Sequence, residues 1–371
     1  MRILVLNYEF PPLGGGASPV SYELARELVQ RGNSVDVVTM AFSGLPALET
    51  RDGINIHRVK CLRRYKEICR THEMLTYVWS AKAFLKKHMQ DNSYDICHCH
   101  FIIPTGIVAR LLKKTHGIPY VITAHGSDVP GYNPDRFQFA HKFTRPLLKS
   151  ICQDAAALTA PSHYLANLIE RQIGTQSVEV IPNGSRSFYR EGISKEKIIV
   201  SSGRLLKRKG FHLLIKCFDE LKPNGWRLYI VGDGPYGGEL KNLTKNPNII
   251  FTGWLDNAGD EYVELMNRAS IFALLSSQES QGIVYLEAMS CGCAILASDT
   301  TACRETVSED VGFRVSLEQP RQIRGRLEAL IENERKRQSF MGKSRERYLR
   351  NFQYSQIASS YMNLFDRVFP E

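Results

Sequence analysis

The sequence has 371 residues and a formal net charge of +10, and 43% of its residues are hydrophobic. This length exceeds what one hydrophobic core usually supports, so we expect two domains. The sequence has neither an apolar run that could span a bilayer nor the apolar core of a secretion signal, which favours a cytoplasmic protein. The positive charge indicates an anionic partner.

The predicted elements of the first half alternate between strands and helices. The loop after the first strand contains Gly14-Gly15-Gly16, and three consecutive glycines let a backbone approach a ligand closely. The glycines match neither the dinucleotide fingerprint nor the Walker loop. His125 directly follows a strand, where ligands of open α/β sheets collect. The predicted strands cover residues 2–7, 34–40, 54–59 (a short edge strand), 94–100, 120–124, 155–160 and 178–181, and the predicted helices cover 19–31, 105–115, 139–151 and a segment capped by Ser162.

The segment 60–88 is strongly basic, with acidic residues only at Glu67 and Glu73. Aromatic and aliphatic residues are interleaved with its cations, which is typical of a basic amphipathic helix on an anionic membrane. A solvated helix face over a core explains the pattern equally well, and both interpretations stay open. The cations are Lys60, Arg63, Arg64, Lys66, Arg70, Lys82, Lys86 and Lys87.

The nine cysteines are scattered and mostly lie in apolar runs, which predicts reduced, buried thiols. The run from Cys97 to His100 alternates Cys and His. Successive side chains of a strand point to opposite faces, so these four cannot converge on one metal ion. We therefore predict no metal site.

The second half restarts the strand–loop–helix pattern after a polar stretch that resembles an interdomain linker. Four cations surround its first loop and form a natural diphosphate clamp: Arg204, Lys207, Arg208 and Lys209. Later strands end at Gly232 and at Gly253-Trp254. The predicted strands cover residues 197–201, 226–231, 249–251, 271–275 and 294–297, and the helices cover 211–221, 262–268, a segment from 283, and 354–369.

The stretch SSQESQGIVYLEAM, residues 276–289, carries two carboxylates around a helix start. A helix N-terminus has unpaired N–H groups and a positive dipole end, which suit a phosphate. We predict that Glu279 and Glu287 hold the two sugars of a nucleotide-sugar, with its diphosphate between them. The stretch alone is also compatible with an ordinary strand–loop–helix unit. Two similar α/β halves make a cleft between them the expected ligand site.

Six motifs in order carry a resemblance that covers nearly the whole chain: PPLGGGAS, TAHGSDV, VIPNG, GRLLKRKG, VGDGP and ESQGIVYLEAMSCG. Together they resemble the family-4 retaining glycosyltransferases, also called group 1. The resemblance implies the GT-B fold, in which two Rossmann-like doubly wound parallel-sheet domains face each other across a cleft. We predict an acceptor-side domain over residues 1–184, a donor domain over 185–352, and a terminal helix, 353–371, that crosses back to the first domain.

The resemblance also implies a role for each site residue. His125, Glu279, Arg204 and Lys209 form the implied catalytic group: the two cations contact the donor diphosphate, Glu279 holds the transferred sugar, and His125 lies against that sugar. Glu287 accepts hydrogen bonds from the ribose. Backbone groups of Gly282, Ile283 and Val284 contact the diphosphate, as do Gly15 and Gly16 from the first domain, and the base lies near Gly232, Gly253 and Trp254.

The implied reaction moves a hexose-type sugar from a UDP- or GDP-linked donor, without a metal or other cofactor, to a glycan or lipid-linked acceptor. Such transfer serves cell-surface polysaccharide or glycolipid assembly, in the cytoplasm or peripherally on the inner face of the membrane. Gln281 and the pair Thr301-Ala302 depart from the family pattern, which bears on donor-sugar preference. The alternatives are a GT-B epimerase, a glycan synthase, or a non-enzymatic basic module for membranes or nucleic acid. No nucleic-acid motif supports the last of these.

Overall fold

The structure is a computed structural model that describes residues 1–133, 138–174 and 177–369. The chain forms two compact units. Unit 1 comprises Met1–Asn183 together with Tyr354–Glu371, and unit 2 comprises Gly184–Gln353. Each unit is built around its own sheet, and the predicted fold class, a two-domain α/β protein with parallel sheets, is confirmed.

Unit 1 contains an eight-stranded sheet in the order β3-β4-β2-β1-β5-β6-β7-β8. All neighbours are parallel except β3 and β4. The direction of strand addition reverses between β1 and β5, which makes their carboxyl ends a topological switch point. The strands are β1 Arg2–Leu6, β2 Ser34–Met40, β3 Leu48–Arg51, β4 Ile54–Val59, β5 Ile96–His100, β6 Tyr120–Thr123, β7 Ala157–Ala160 and β8 Glu179–Val180.

The prediction that residues 54–59 form an edge strand is wrong. Strand β3 pairs antiparallel with β4, with Leu48 opposite His57, and takes the edge position. The sequence of β3, LETR, is short and its side chains are exposed or only half-buried. Such an edge strand has no apolar pattern by which sequence analysis could detect it.

Five helices flank this sheet, and a sixth returns from the end of the chain. They are α1 Ala17–Gln30, α2 Thr71–His88, α3 Thr105–His116, α4 Gln138–Asp154, α5 His163–Ile173 and α13 Tyr354–Val368. Ser162 caps α5 by accepting a hydrogen bond from Leu165 N, as its sequence position predicted. The apolar side of α13 belongs to the core of unit 1: Tyr361 and Phe365 are buried in one cluster with Ile3 and Val5.

Unit 2 contains a six-stranded parallel sheet in the order β11-β10-β9-β12-β13-β14. Its switch point lies between β9 and β12. The strands are β9 Glu196–Ser202, β10 Arg227–Val231, β11 Ile249–Gly253, β12 Ala269–Leu274, β13 Ala294–Ser298 and β14 Gly312–Val315. The helices are α6 Phe211–Leu221, α7 Gly237–Asn242, α8 Asp260–Arg268, α9 Ile283–Ser290, α10 Cys303–Thr306, α11 Pro320–Glu332 and α12 Glu334–Asn351.

The centre of unit 2 is apolar on both faces of its sheet. Every residue of β12 and β13 is buried, as expected for parallel strands that are covered by helices on both sides. Helix α9 packs against this centre, and its residues from Tyr285 to Ser290 are all buried. This rigid framework fixes the loop that precedes α9. Among the described residues, no helix is both long and apolar enough to cross a membrane.

Candidate active site

The predicted donor residues of unit 2 all lie at the carboxyl ends of four neighbouring strands. Arg204 and Lys209 follow β9, Gly232 follows β10, Trp254 follows β11, and Glu279 follows β12. Strands β9 and β12 are adjacent and flank the switch point of the sheet. Ligands of doubly wound sheets bind at this position, because the two loops there diverge and leave a crevice.

Lys209 and Glu279 form an ion pair at this switch point. The Lys209 Nζ lies 2.5 Å from Glu279 Oε1, and the two side chains are 18% and 9% exposed. The 3₁₀ turn that carries Lys209 is fastened to the second loop, because Ser277 N donates to Arg208 O at 2.8 Å. The pair therefore joins two segments that are 70 positions apart in the sequence.

Gly210 permits this close approach. Its φ is +71°, and a Cβ atom at this position would lie 2.0 Å from the carbonyl oxygen of Leu275. No real side chain tolerates that distance. The glycine therefore allows the lysine turn to pack directly against the end of β12, which holds Lys209 within reach of Glu279.

The loops after β9, β10 and β11 are packed backbone to backbone. Gly203 N donates to Val231 O at 3.0 Å, and Gly232 N donates to Gly253 O at 2.8 Å. A Cβ atom on Gly232 would lie 2.0 Å from the Gly203 carbonyl oxygen. The glycines at these strand ends thus bring the three loops together into one continuous backbone surface beside the cations.

Helix α9 begins at Gly282, which has a φ of +84° and makes no side-chain cap. The N–H groups of Ile283 and Val284 stand in the first turn, where an α-helix provides no carbonyl partner. Both residues are only half-buried. The helix start therefore offers free donors and a positive dipole end next to Glu279, an arrangement suited to an anion.

Glu287 lies one helical turn further into unit 2 and is 6% exposed. Its Oε2 accepts a hydrogen bond from the Tyr262 hydroxyl at 2.7 Å, and its Oε1 accepts one from Asn257 Nδ2 at 3.2 Å. Burial raises the pKa of Glu287, and these two bonds oppose that rise. A carboxylate has about four acceptor positions, so two remain for hydroxyl donors of a ligand.

Arg204 and Trp254 present open side chains beside this group. Arg204 is exposed and forms no ion pair with the part of the chain that the structure describes. Trp254 is 71% exposed and stands three residues before Asn257, the partner of Glu287. A guanidinium without an ion-pair partner can bind a phosphate, and an exposed indole can stack on the ring of a ligand.

The two departures from the family pattern, Thr301 and Gln281, both lie at the Glu279 loop: Gln281 belongs to it and Thr301 bonds to it. Thr301 Oγ1 accepts a hydrogen bond from Glu279 N at 3.1 Å, although Thr301 itself has a φ of +45°. A β-branched residue in this left-handed region is strained. Gln281 is buried, and its carbonyl accepts a hydrogen bond from Thr306 Oγ1.

In unit 1, the glycine loop and His125 occupy the carboxyl ends of β1 and β6, on either side of β5. Gly15 and Gly16 are exposed, and Gly16 forms the N-cap of α1 without a side-chain bond. A Cβ atom on Gly15 would meet nothing within 4 Å. The loop thus presents bare backbone at a helix N-terminus.

His125 belongs to a stacked pair of histidines. Its Nε2 lies 3.0 Å from His100 Nδ1, and the two rings are nearly parallel, with centroids 5.3 Å apart. Burial lowers the pKa of His125 to about 3 and the pKa of His98 to about 3, and it also lowers that of His100. All three imidazoles are therefore neutral at pH 7, so His125 acts as a hydrogen-bonding group and not as a cation.

Asp128 fixes the backbone around His125. Its Oδ1 accepts hydrogen bonds from His125 N and Gly126 N, and its Oδ2 accepts one from Ile102 N at 2.8 Å. Three backbone donors hold this buried carboxylate in place. Asp128 therefore orders the loop around His125.

The Cys97 to His100 strand behaves as its alternation predicted. The two cysteine sulfurs lie 3.8 Å apart on one face, and the two histidine rings lie 4.4 Å apart on the other. Elsewhere in unit 1, potential ligand atoms of Asp36, His57 and His88 lie within 4.8 Å of one another. Hydrogen bonds through Tyr94 already link Asp36 to His88, at 2.6 and 2.8 Å. Tyr94 therefore bridges two of the three residues, and the His57 ring packs against the His88 ring with centroids 4.8 Å apart.

The structure thus gathers the predicted residues into two groups, one in each unit. Unit 2 joins Lys209 to Glu279 and surrounds them with the other donor residues, whereas unit 1 holds Gly15, Gly16 and His125. Sequence analysis missed three side chains that directly contact site residues: Asn257 and Tyr262 on Glu287, and His100 on His125. Of these, only His100 carried a signal, through its place at the end of a strand. Thr301 was singled out as a departure from the family pattern, but its bond to Glu279 N was not predicted.

Comparison with known proteins assigns both units. Two units with doubly wound parallel sheets are the architecture of the GT-B fold. Residues 14–185 match the family model Glycosyltransferase Family 4, and residues 186–347 match Glycosyl transferases group 1. The chain therefore belongs to this family of glycosyltransferases and is a transferase enzyme.

Individual relatives are similar over nearly their whole lengths. The chain is 26% identical over 377 residues to N-acetyl-alpha-D-glucosaminyl L-malate synthase of Bacillus anthracis, covering 95% of this chain and 94% of that protein. Among solved structures, sucrose-phosphate synthase from Thermosynechococcus elongatus has a TM-score of 0.83 at 18% identity, with 99% of each chain covered. Anabaena HepE in complex with UDP-glucose has a TM-score of 0.78 at 18% identity, covering 99% and 100%. These two structures confirm the predicted GT-B fold.

Proposed function

We propose that the protein transfers a hexose-type sugar, with retention of configuration, from a nucleotide-diphosphate sugar to a glycan or lipid-linked acceptor. The observation that carries this proposal is the Lys209–Glu279 ion pair at the start of α9. A cation, a carboxylate and free N–H groups lie side by side there. These are the groups that a sugar diphosphate requires, because it carries negative charge on the phosphates and hydroxyl donors on the sugar.

The diphosphate would bind to Lys209, Arg204 and the N–H groups of Gly282, Ile283 and Val284. Negative charge develops on the leaving diphosphate as the anomeric C–O bond breaks, and fixed donors aimed at that charge lower the barrier. These cations and the α9 dipole supply positive charge from the protein itself. This supports transfer without a metal cofactor.

The two glutamates would hold the two sugars of the donor. Glu287 keeps acceptor positions free beside Tyr262 and Asn257, which suits the ribose hydroxyls. Glu279 retains one oxygen beyond its bond to Lys209, which suits hydroxyls of the transferred sugar. The base would lie over Gly232, Gly253 and the exposed Trp254.

Retention is proposed to proceed by attack on the same face of the sugar. A double displacement requires a free carboxylate at the anomeric carbon. Asp128 is held by three backbone donors, and one oxygen of Glu279 is paired with Lys209, so neither group is a free carboxylate. In the proposed step the acceptor oxygen bonds to the anomeric carbon while the C–O electron pair leaves with the diphosphate. The acceptor proton passes to a diphosphate oxygen.

His125 would contact the transferred sugar as a neutral hydrogen-bonding group. Its low pKa, caused by burial, prevents it from placing a second positive charge near a centre that itself becomes positive. Gly15 and Gly16 would offer backbone N–H groups to the diphosphate. The structure of Anabaena HepE in complex with UDP-glucose makes UDP the first nucleotide to test, followed by GDP.

Calorimetric titration with UDP, GDP and their sugar conjugates tests the donor assignment. We expect one nucleotide to bind, and Lys209→Ala to weaken its binding by about 10-fold or more, because a charge-assisted hydrogen bond is lost. Lys216→Ala removes an exposed lysine of α6 and is the matched control. If neither nucleotide binds, or if both variants behave alike, the assignment is wrong.

Product analysis separates transfer from the two enzymatic alternatives. A hexosyltransferase leaves the donor intact until an acceptor is added, whereas an epimerase converts the donor sugar alone. A glycan synthase extends its product repeatedly from the same donor. Formation of a single new glycosidic bond per acceptor, with retained anomeric configuration by NMR, supports the proposal.

A further inference from the structure

Helix α2 in unit 1 has an exposed face that combines large apolar side chains with lysines. Trp79 is 72% exposed and Leu75 is 53% exposed, while Lys82 and Lys86 are exposed as well. At about 100° per residue, these four side chains fall within an arc of about 60° on one side of the helix. The opposite side packs Tyr77, Ala81 and Leu85 into the core.

The loop before α2 extends this face. Leu62 is 64% exposed and Tyr65 is 40% exposed. The loop is held in place because Leu62 N donates to Thr76 Oγ1 and Arg64 N donates to Glu73 Oε1. We call the exposed side chains of residues 60–70, together with Leu75, Trp79, Lys82, Lys86 and Lys87 of α2, the α2 surface. Four of the eleven large hydrophobic side chains exposed in the described residues belong to it.

The charge of the α2 surface is more uneven than the sequence indicates. Of the eight cations between residues 60 and 88, only Arg63 has a buried side chain, which bonds to Glu9 and to loop carbonyls. Glu73 is also buried, in the capping box of α2. Seven exposed cations therefore face one exposed acid, Glu67, and leave a local charge of +6 (7 − 1).

We propose that the α2 surface docks on an anionic membrane. Leucine and tryptophan side chains on a convex helix gain free energy by entering the acyl and headgroup boundary, and lysines beside them pair with lipid phosphates. Basic residues near an anionic leaflet each strengthen its binding. The charge and the apolar side chains of this surface thus fit both components of one partner.

A comparison with helix α12 shows that charge alone does not define such a surface. Helix α12 is also rich in arginine and lysine, yet Leu349 is the only large hydrophobic side chain that it exposes. The phosphates of a nucleic acid would bind the cations of the α2 surface, but a nucleic acid would not bury the aliphatic side chains of Leu62 and Leu75. A second copy of the chain would bring two surfaces of +6 together, which repel.

The inference goes beyond sugar transfer and stands on its own observations. Its consequence for the acceptor, however, rests on the proposed function: a docked enzyme would act on a lipid-linked acceptor. The α2 surface is tied to the glycine loop, because Gly14 N donates to Lys66 O at 2.8 Å. Loss of vesicle binding would leave nucleotide binding by unit 2 intact, so failure of either proposal can be recognised separately.

Co-sedimentation of the full chain with vesicles tests the docking. We expect binding to phosphatidylcholine vesicles that contain phosphatidylglycerol, weaker binding at high salt, and little binding to phosphatidylcholine alone. Replacing Lys82, Lys86 and Lys87 with glutamate should weaken binding by about 100-fold or more. The same three-charge reversal at Arg335, Lys336 and Lys343 of α12 is the control and should have a much smaller effect.

The apolar component needs its own variant. We expect Leu75→Ser combined with Trp79→Ser to weaken vesicle binding by about 10-fold or more, since both side chains leave the lipid. Trp254→Ser is the matched control, because Trp254 is equally exposed but lies in unit 2. In a Trp254→Phe background, Trp79 is the exposed tryptophan that remains, because Trp226 is buried, so a blue shift on addition of anionic vesicles would report on Trp79. Thermal unfolding confirms that each variant is folded.

Three results would overturn the proposal. The first is the absence of binding to anionic vesicles at low salt. The second is equal weakening by the α2 and α12 reversals, or by the Leu75→Ser/Trp79→Ser double variant and Trp254→Ser, which would indicate non-specific attraction. The third is tight binding to RNA, or self-association lost in the Trp79 variant, without vesicle binding; either would assign the α2 surface to a different partner.

Discussion

The two units place different chemistry at equivalent positions. In unit 2, the loops at the switch point carry Lys209, Arg204 and Glu279, with an ion pair at the centre, and Glu287 follows in α9. In unit 1, the corresponding loops carry bare glycines and a stack of neutral histidines. A diphosphate needs fixed charge, whereas a sugar centre that becomes positive needs polar groups without charge. The difference between the units therefore fits the proposal that unit 2 holds the diphosphate and that the histidines of unit 1 serve a different part of the reaction.

The largest effect is expected from a substitution that separates the loop after β9 from the loop after β12. In Gly210→Ala, the new Cβ atom would clash with the Leu275 carbonyl oxygen, and φ would remain positive. We expect a loss of about 3 kcal/mol or more in the free energy of unfolding, together with loss of transfer, because Lys209 moves away from Glu279. Thermal or urea unfolding measures the first effect.

Gly192→Ala is the control for the Gly210 variant. Gly192 has a similar φ of +81°, but a Cβ atom there would meet nothing within 4 Å. It should lose only about 1–2 kcal/mol, the difference that the left-handed backbone imposes. Equal destabilisation of the two variants would show that the contact with Leu275 does not matter.

As the pH falls, we expect unit 1 to lose stability before unit 2. Burial lowers the pKa of His98 and His125 from 6.5 to about 3, so the folded unit disfavours their protonation while the unfolded chain accepts it. Their neutral forms contribute full stability above about pH 6.5, and this contribution declines as the pH falls from 6.5 toward 3. The decline is about 1.4 kcal/mol per pH unit for each histidine.

Hydrogen exchange followed by unit at pH 7 and pH 5 measures this difference. His125→Asn removes one titrating group and should reduce the acid sensitivity of unit 1. An unchanged response would mean that the histidine stack does not govern the acid stability of that unit. Exchange in β9 and β12 of unit 2 provides the internal reference.

Replacement of the buried carboxylate of Glu287 tests its proposed contact with the ribose. Glu287→Gln should raise the KM for the donor by about 10-fold, through loss of charged hydrogen bonds to the ribose, with little change in kcat. Its stability should hold or rise, because burial raises the pKa of Glu287 and so disfavours the ionised form. Steady-state kinetics and unfolding curves check both. A fall in kcat at constant KM would contradict the assigned role.

The smallest effect is expected at the strained residue beside the donor site. Thr301→Gly relieves the φ of +45° but removes the bond to Glu279 N. The two contributions are each about 1 kcal/mol, so stability should hardly change. Preference among UDP-linked sugars should shift by a few fold. Thr301→Ser keeps the hydroxyl and should retain the original preference.

Sequence reasoning predicted most strands because parallel strands buried on both faces are continuous apolar runs, as β12 and β13 are. It missed α11 and α12, in which charged residues outnumber the few apolar ones that mark a buried face. It also missed β14, which is short. The family resemblance supplied the fold and the candidate residues, and the matched family models confirm both the family and the fold.

Contacts across long sequence separations were beyond sequence reasoning. Lys209 and Glu279 meet only because Gly210 lets two loops touch, and no local pattern reveals that approach. The His100 partner of His125 depends on the register between β5 and β6. The left-handed conformation of Thr301 contradicts the preference of a β-branched residue, so it could be found only in the structure. The roles of the site residues stay predictions.

The most direct test of the central claim compares nucleotide and nucleotide-sugar binding by calorimetry. The claim is that Lys209 holds the diphosphate and Glu279 holds the transferred sugar. Lys209→Ala should weaken UDP and UDP-glucose alike, with GDP and GDP-mannose as the second pair. Glu279→Ala should leave the nucleotide nearly unaffected but abolish any extra affinity that the sugar provides. Loss of sugar recognition in Lys209→Ala alone, with Glu279→Ala unchanged, would contradict the account.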